Sequence, residues 1–305
     1  MNRQNGRAPP ASATCSRISA CRRALCACAS SERGGRDIGL PNHDNAQDTG
    51  IPEPLVPATD APSHHPVALV TGAARRLGAA IARRLHGAGY AIAIHCHRST
   101  GDAQALSDAL ESTRPCSTLV LQADLAQFDR LPELVARTVG HFGRLDALVN
   151  NAAAFFPTPL GTTTPAQWDA LFNANVRAPY FLSQAAAPHL KASRGAILNL
   201  SDVYARQPRA DLPAYATSKG ALEAMTRALA VSMAPDVRVN AIAPGAILWP
   251  DEHGDDALRQ RILARTALGR VGDIDEIAAT ALWLLRDAGY TTGSVIAVDG
   301  GRDPV

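Results

Sequence analysis

From residue 66 onward the chain alternates short, mainly apolar segments with longer stretches of helical period. The short segments fall at 67–70, 91–94, 118–121, 145–149, 195–200, 237–243 and 294–298; the first two are wholly apolar, and Asp146, Asn199, Arg238 and Asn240 interrupt later ones. Short apolar runs of this kind suit strands buried on both faces, which are parallel strands. Between them, apolar residues recur at helical spacing over 79–86, about 101–113, 129–141, 165–191, 215–233 and 274–286. The 165–191 stretch carries a polar insert, Asn173 and Asn175, of the kind that marks a kink or a water site in a helix. Strand and helix thus alternate seven times. This predicts one α/β domain of the Rossmann type: a doubly wound, seven-stranded parallel sheet with helices on both faces. Residues 246–270 have few apolar runs and carry Trp249, Asp251 and Glu252; they read as a mobile cap over a substrate.

Residues 1–65 differ. Pro, Ser, Arg and Asn/Asp clusters replace the apolar period, so this segment reads as a disordered extension. Its first acid is Glu32, and its Arg, Ala and Ser content fits a transit peptide, a tail or an early start codon alike. Over 305 residues the net charge is +2, from Lys+Arg 30 and Asp+Glu 28. That balance argues against nucleic acid and anionic membranes as partners. No apolar run approaches the ~18 residues of a spanning helix. Four of the six cysteines crowd the first thirty residues, which points to free thiols in a reducing, cytoplasmic setting.

The chemistry concentrates at strand ends. After the first strand comes Thr71-Gly72-Ala73-Ala74-Arg75-Arg76-Leu77-Gly78, opening a helix. Strand, glycine turn and helix form the setting of a dinucleotide fingerprint, with the pyrophosphate at the helix N-terminus. Arg76 stands where the middle glycine usually lies, and either spoils the site or adds a cation to it. The second strand ends in His95-Cys96-His97-Arg98-Ser99, with no acid for a ribose hydroxyl. Arg98, His97 and Ser99 suit a phosphate, which favours NADPH over NADH; an ordinary polar loop is the alternative. No Cys or Glu stands at ligand spacing from His95 and His97, so no metal is expected. Asp124 and Leu125 close the third strand, where an adenine amino group would lie. Asn150, Asn151 and Ala152 follow the fourth. Phe155 and Phe156 are either core or a stacking platform. Tyr215 and Lys219 lie four apart on one helix face, where an ammonium would lower the phenol's pKa and suit it to proton transfer.

In order and spacing, the glycine turn, Asn-Asn-Ala, Tyr-x-x-x-Lys and Pro244-Gly245 resemble the short-chain dehydrogenase/reductase family over 66–302. Within it the likeness is to pteridine reductases, carried by Thr71–Gly78, His97–Ser99, Asn150–Leu160, Ala178–Leu182, Asp202, Tyr215 and Lys219–Glu223. Thirteen residues before Tyr215, most of the family places a serine; this chain has Asp202, as pteridine reductases do. The resemblance implies a reductase of a pterin or folate, with Tyr215 donating the proton, Asp202 assisting and Lys219 on the cofactor ribose. It further implies that Asn175 props a water or the lysine and that Arg76 reaches both cofactor phosphate and pterin. Phe155 would sandwich the pterin against the cofactor. Cofactor contacts would come from Gly72, Arg75, Arg76, Leu77, Gly78, His97, Arg98, Ser99, Asp124, Leu125, Asn151, Ala152, Tyr215, Lys219, Pro244 and Gly245. A homotetramer through 175–191 and 215–233 is also implied.

The chain departs from the trypanosomatid pattern at Ala153, Ala154 and Ile247, where that pattern has serines. Two other readings stand beside the pteridine reductase: a carbonyl reductase acting on a ketone such as a 3-oxoacyl thioester, and a non-catalytic NADP-binding regulator.

Overall fold

The computed structural model describes residues 65–247 and 256–302. The proposed extension, apart from His65, and the cap residues Trp249, Asp251 and Glu252 lie outside them. Seven strands form one wholly parallel sheet: β1 (Val67–Val70), β2 (Ala91–Cys96), β3 (Thr118–Gln122), β4 (Ala147–Asn150), β5 (Ala196–Leu200), β6 (Arg238–Pro244) and β7 (Val295–Val298). Their spatial order is β3-β2-β1-β4-β5-β6-β7. The order reverses between β1 and β4, and ligands of such sheets bind outside the strands' carboxyl ends at that point.

The helices are α1 (Arg76–Gly87), α2 (Thr100–Glu111), α3 (Leu131–Phe142), α4 (Pro165–Phe172), α5 (Ala178–Ser193), α6 (Pro213–Met233), α7 (Asp256–Ala264) and α8 (Ile274–Leu282). Successive β1 residues feed opposite cores, as the strand period requires. Ala68 and Val70 pack with Ile81, Leu106 and Ile277 from α1, α2 and α8. Val67 and Leu69 pack with Leu134, Leu182 and Met233 from α3, α5 and α6. That explains the unbroken apolar run of β1: each of its positions faces one core or the other.

A third cluster sits at the carboxyl edge of the sheet. Leu171, Leu212, Ala214 and Tyr215 are buried there, with Phe156 and Tyr204 packed against them. The polar insert resolves into a π-helical turn, Asn173–Arg177, joining α4 to α5. Its wider winding turns Asn175 into the protein, where it is 1% exposed. Among the described residues no helix is long and apolar enough to cross a membrane. Cys96 is a free buried thiol in β2.

Candidate active site and nucleotide cradle

The ends of β1 and β4 are knitted together. Asn151 and Ala152 donate backbone N–H groups to the Thr71 hydroxyl at 2.9 and 3.0 Å, and the Asn151 side-chain amide donates to the Thr71 and Gly72 carbonyls. A side chain has no room here. A Cβ on Gly78 would stand 2.3 Å from the Gly72 carbonyl oxygen, and Gly72 itself adopts φ +61°. Arg76 adopts φ 51°, the left-handed region that favours glycine. This is why the position usually holds glycine, and Arg76 occupies it at a backbone cost of about 1 kcal/mol. The Arg76 side chain lines a groove of about 800 Å³ between α1 and α8, with Arg83, Arg84 and Arg286.

The N-terminus of α1 has neither a side-chain cap nor an acid in its first turn. Its unpaired N–H groups and positive pole therefore point at the switch crevice without an anion of their own. That is the local chemistry a pyrophosphate fits.

At the end of β2, the Arg98 side chain is exposed and forms no ion pair among the described residues. Ser99 caps α2 without committing its hydroxyl. His97 lies 3.9 Å from Asp124 across two half-exposed side chains. Arg75 is held by Asp102 at 2.6 Å, so its charge leans over α2.

The sequence offers His95 only as a poor metal ligand; in the structure it has a structural role. It is 1% exposed. Its Nδ1 accepts from the Gly72 N–H at 3.2 Å, which puts the proton on Nε2, and Nε2 donates to the Ala123 carbonyl at 3.2 Å. The imidazole thus bridges the glycine turn to the end of β3. Burial lowers its pKa from 6.5 to about 4. Because the folded pKa lies below the unfolded one, His95 destabilises the fold as pH drops from about 6.5 to about 4, by up to about 3 kcal/mol. Urea unfolding across that window should show this slope, and His95→Gln should flatten it. Equal slopes in the two proteins would refute the assignment.

Asp202, Tyr215, Lys219 and Asn175 converge at the carboxyl ends of β4 and β5. The Tyr215 hydroxyl donates to Asp202 Oδ2 at 2.8 Å. Asp202 Oδ1 accepts from the Tyr204 N–H at 2.9 Å, capping a short 3-10 turn, Val203–Ala205. Lys219, 3% exposed, donates to the Leu200 carbonyl at 2.7 Å. Asn175 accepts from the Ala154 N–H at 2.9 Å and donates to the Ala154 carbonyl and to Ser218, next to Lys219. It therefore ties the Asn-Asn-Ala strand end to the Tyr-Lys helix. Ser201 points away and donates to the buried Glu223 at 3.1 Å.

The electrostatics reverse one expectation. The Tyr215 phenol is pushed well above its ordinary range, first by burial and then by the Asp202 charge and hydrogen bond. Lys219 does not bring it down, because its ammonium is committed to Leu200 and lies 5.9 Å from the tyrosine ring centroid. Burial raises the Asp202 carboxyl too, against the pull of Tyr204, Lys219, Tyr215 and Arg302. Burial lowers Lys219 to about 8. Phe155 stands 56% exposed and meets Tyr215 edge to face, centroids 4.8 Å apart, while Phe156 turns into the third cluster. Gly245 follows the buried end of β6, where a Cβ would meet Asp299 Cα at 2.6 Å.

A family model described as enoyl-(acyl carrier protein) reductase matches residues 72–303. The chain belongs to the short-chain dehydrogenase/reductase family. As such it is an oxidoreductase that uses a nicotinamide dinucleotide. Pteridine reductase 1 of Leishmania tarentolae is 35% identical to this reductase over 276 residues, covering 77% of this chain and 96% of its own. A Streptomyces violaceoruber protein described as ketoacyl reductase 2 of the granaticin polyketide synthase is 38% identical over 251 residues, covering 80% and 98%. L-fucose dehydrogenase of Oryctolagus cuniculus is 36% identical over 249 residues, covering 78% and 84%. The three names span three substrate classes at similar identity, so the choice of substrate rests on the site.

Proposed function

We propose that this reductase transfers hydride from NADPH to a dihydropterin, a pterin or a dihydrofolate. The observation that carries the reading is the Asp202–Tyr215 hydrogen bond at 2.8 Å. Reducing a ring C=N bond needs a hydride on carbon and a proton on nitrogen. NADPH supplies the hydride; the chain must hold the proton. A buried carboxyl and a buried phenol, each with raised proton affinity and one hydrogen bond between them, hold a proton tightly and pass it in line. Tyr215, its hydroxyl aimed by the Asp202 carboxylate, gives its proton to the substrate nitrogen and recovers one from solvent. Phe155, exposed and edge-on to Tyr215, offers a face for a planar ring. The family's ketone reducers, by contrast, need a hydroxyl donor at this position, and Ser201 is turned to Glu223.

NADPH over NADH is supported by Arg98, His97 and Ser99 at the end of β2. Arg98→Ala should lower the NADPH-to-NADH ratio of kcat/KM about tenfold or more, as expected for a lost charge-assisted contact. An unchanged ratio would remove that loop from the cofactor site. A homotetramer is carried as a proposal alongside: Tyr180, Phe181 and Val231 are exposed on α5 and α6, and light scattering measures the mass. The function is tested by mixing enzyme, NADPH and dihydrobiopterin. Oxidation of the cofactor coupled to tetrahydropterin is expected, and no turnover on any pterin or folate defeats the reading.

A further inference from the structure

The chain's last described residue comes back to the reactive carboxylate. After β7, Gly300 and Gly301 both adopt φ +68°. A Cβ on Gly300 would stand 2.8 Å from Thr266 Cγ2, so the turn needs glycine for space as well as for φ. The returning strand pairs with the segment after α7: Leu268 N–H donates to the Gly300 carbonyl at 2.9 Å, and Thr266 bridges Arg302. The Gln207 side chain then donates to the Arg302 carbonyl at 3.1 Å. Arg302 is thereby clasped from both sides.

Its guanidinium lies over the Tyr204 ring, 5.0 Å from the centroid. Tyr204 is the residue whose N–H binds Asp202. On the same ring, Arg209 stands 5.8 Å from the centroid, but Asp211 neutralises it through two hydrogen bonds of 2.9 and 2.6 Å. Arg206 is paired with Glu223. Of the three arginines around this turn, Arg302 alone forms no ion pair among the described residues. It is half-exposed, and its charge reaches the Asp202 carboxyl, which it pulls down in pKa. A guanidinium resting on an aromatic face keeps its N–H fork free in the ring plane for a planar anion.

We infer that Arg302 is a specificity residue that binds an anionic tail on the substrate, beyond the group that is reduced. The chemistry it recognises is a carboxylate or a phosphate. On the pteridine-reductase reading, on which the first arm below rests, this makes a dihydrofolate with its glutamate tail a better substrate than an uncharged-tail dihydropterin. The phosphates of a coenzyme A thioester present the same chemistry from another source.

The test measures kcat/KM with NADPH for two matched pairs, in wild type, Arg302→Met and Arg302→Lys. One pair is dihydrofolate against dihydrobiopterin. The other is acetoacetyl-coenzyme A against its uncharged N-acetylcysteamine thioester. Wild type should favour the anionic member of one pair. Arg302→Met should lower that preference about tenfold to a hundredfold, mainly through KM, with the neutral substrate within about threefold; a charge-assisted hydrogen bond carries a change of that size. Arg302→Lys should keep part of the preference. A residue that only tuned Asp202 would shift kcat and its pH profile equally for both members, and that result overturns the inference. So does a wild type that favours neither anionic member, including one that turns over none of the four. Preference confined to the thioester pair would uphold Arg302 while ending the pterin reading.

Discussion

Replacing Asp202 by serine is expected to lower kcat/KM for a dihydropterin about a hundredfold while leaving NADPH affinity within a few-fold. The carboxyl lies at 2.8 Å from the Tyr215 hydroxyl and shares the same buried cluster edge, so it is the only acid in hydrogen-bond contact with the phenol among the described residues. Serine removes the carboxylate that aims the Tyr215 hydroxyl, together with the negative charge that raises its pKa. Losing one positioned proton-transfer partner costs about 10²–10⁴ in rate. The same change installs the hydroxyl that a ketone oxygen accepts from. Reduction of an acetoacetyl thioester should therefore hold or rise. The pair of rates matters more than either alone: a parallel fall in both reactions would mean that Asp202 serves only the fold, through its bond to the Tyr204 N–H.

Tyr215→Phe is the larger effect. It removes the proton donor itself, and a fall in kcat on the order of a thousandfold follows. Phenylalanine keeps the ring, so the edge-to-face contact with Phe155 and the packing against Leu171 and Leu212 survive. The lost hydrogen bond to a buried carboxyl costs about 1–3 kcal/mol of stability. Asp202 relieves part of that by protonating, since burial already raises its pKa. Cofactor binding, followed by quenching of intrinsic fluorescence, should be unchanged within a few-fold. A variant that binds NADPH normally and still reduces substrate at wild-type rate would assign the proton to another group.

The sheet was legible because a doubly wound fold writes its strands plainly. Both faces of β1, β4 and β5 are covered, so β1 is apolar throughout and β4 and β5 are apolar but for Asn150 and Asn199, which hydrogen-bond each other. Asp202 and Tyr215 were legible as a pair only through the family resemblance, which marks the position thirteen residues before the tyrosine. Boundaries moved where local signals compete: α6 begins at Pro213, two residues before the tyrosine, since proline is tolerated at a helix's first position.

What the chain hid depends on contacts between distant segments. Nothing near His95 announces that its ring will bridge Gly72 and Ala123; that contact exists because β1, β2 and β3 are adjacent in the sheet. The direction of the Tyr215 shift was misjudged for the same reason. Spacing puts Lys219 on the tyrosine's face of α6, but the Leu200 carbonyl at the end of β5 takes its ammonium. Likewise, the inward aim of Asn175 needs a π turn, and the return of Arg302 needs two successive left-handed glycines and the edge of the segment after α7.

The central claim is that the Asp202–Tyr215 pair serves C=N reduction. Its most direct test is the ratio of wild-type kcat/KM for dihydrobiopterin to that for an acetoacetyl thioester, both at saturating NADPH. A ratio above about ten is expected, since a misplaced hydrogen-bonding group in a buried site discriminates by at least that much. A ratio below one, with the thioester reduced efficiently, would contradict it and make this chain a carbonyl reductase.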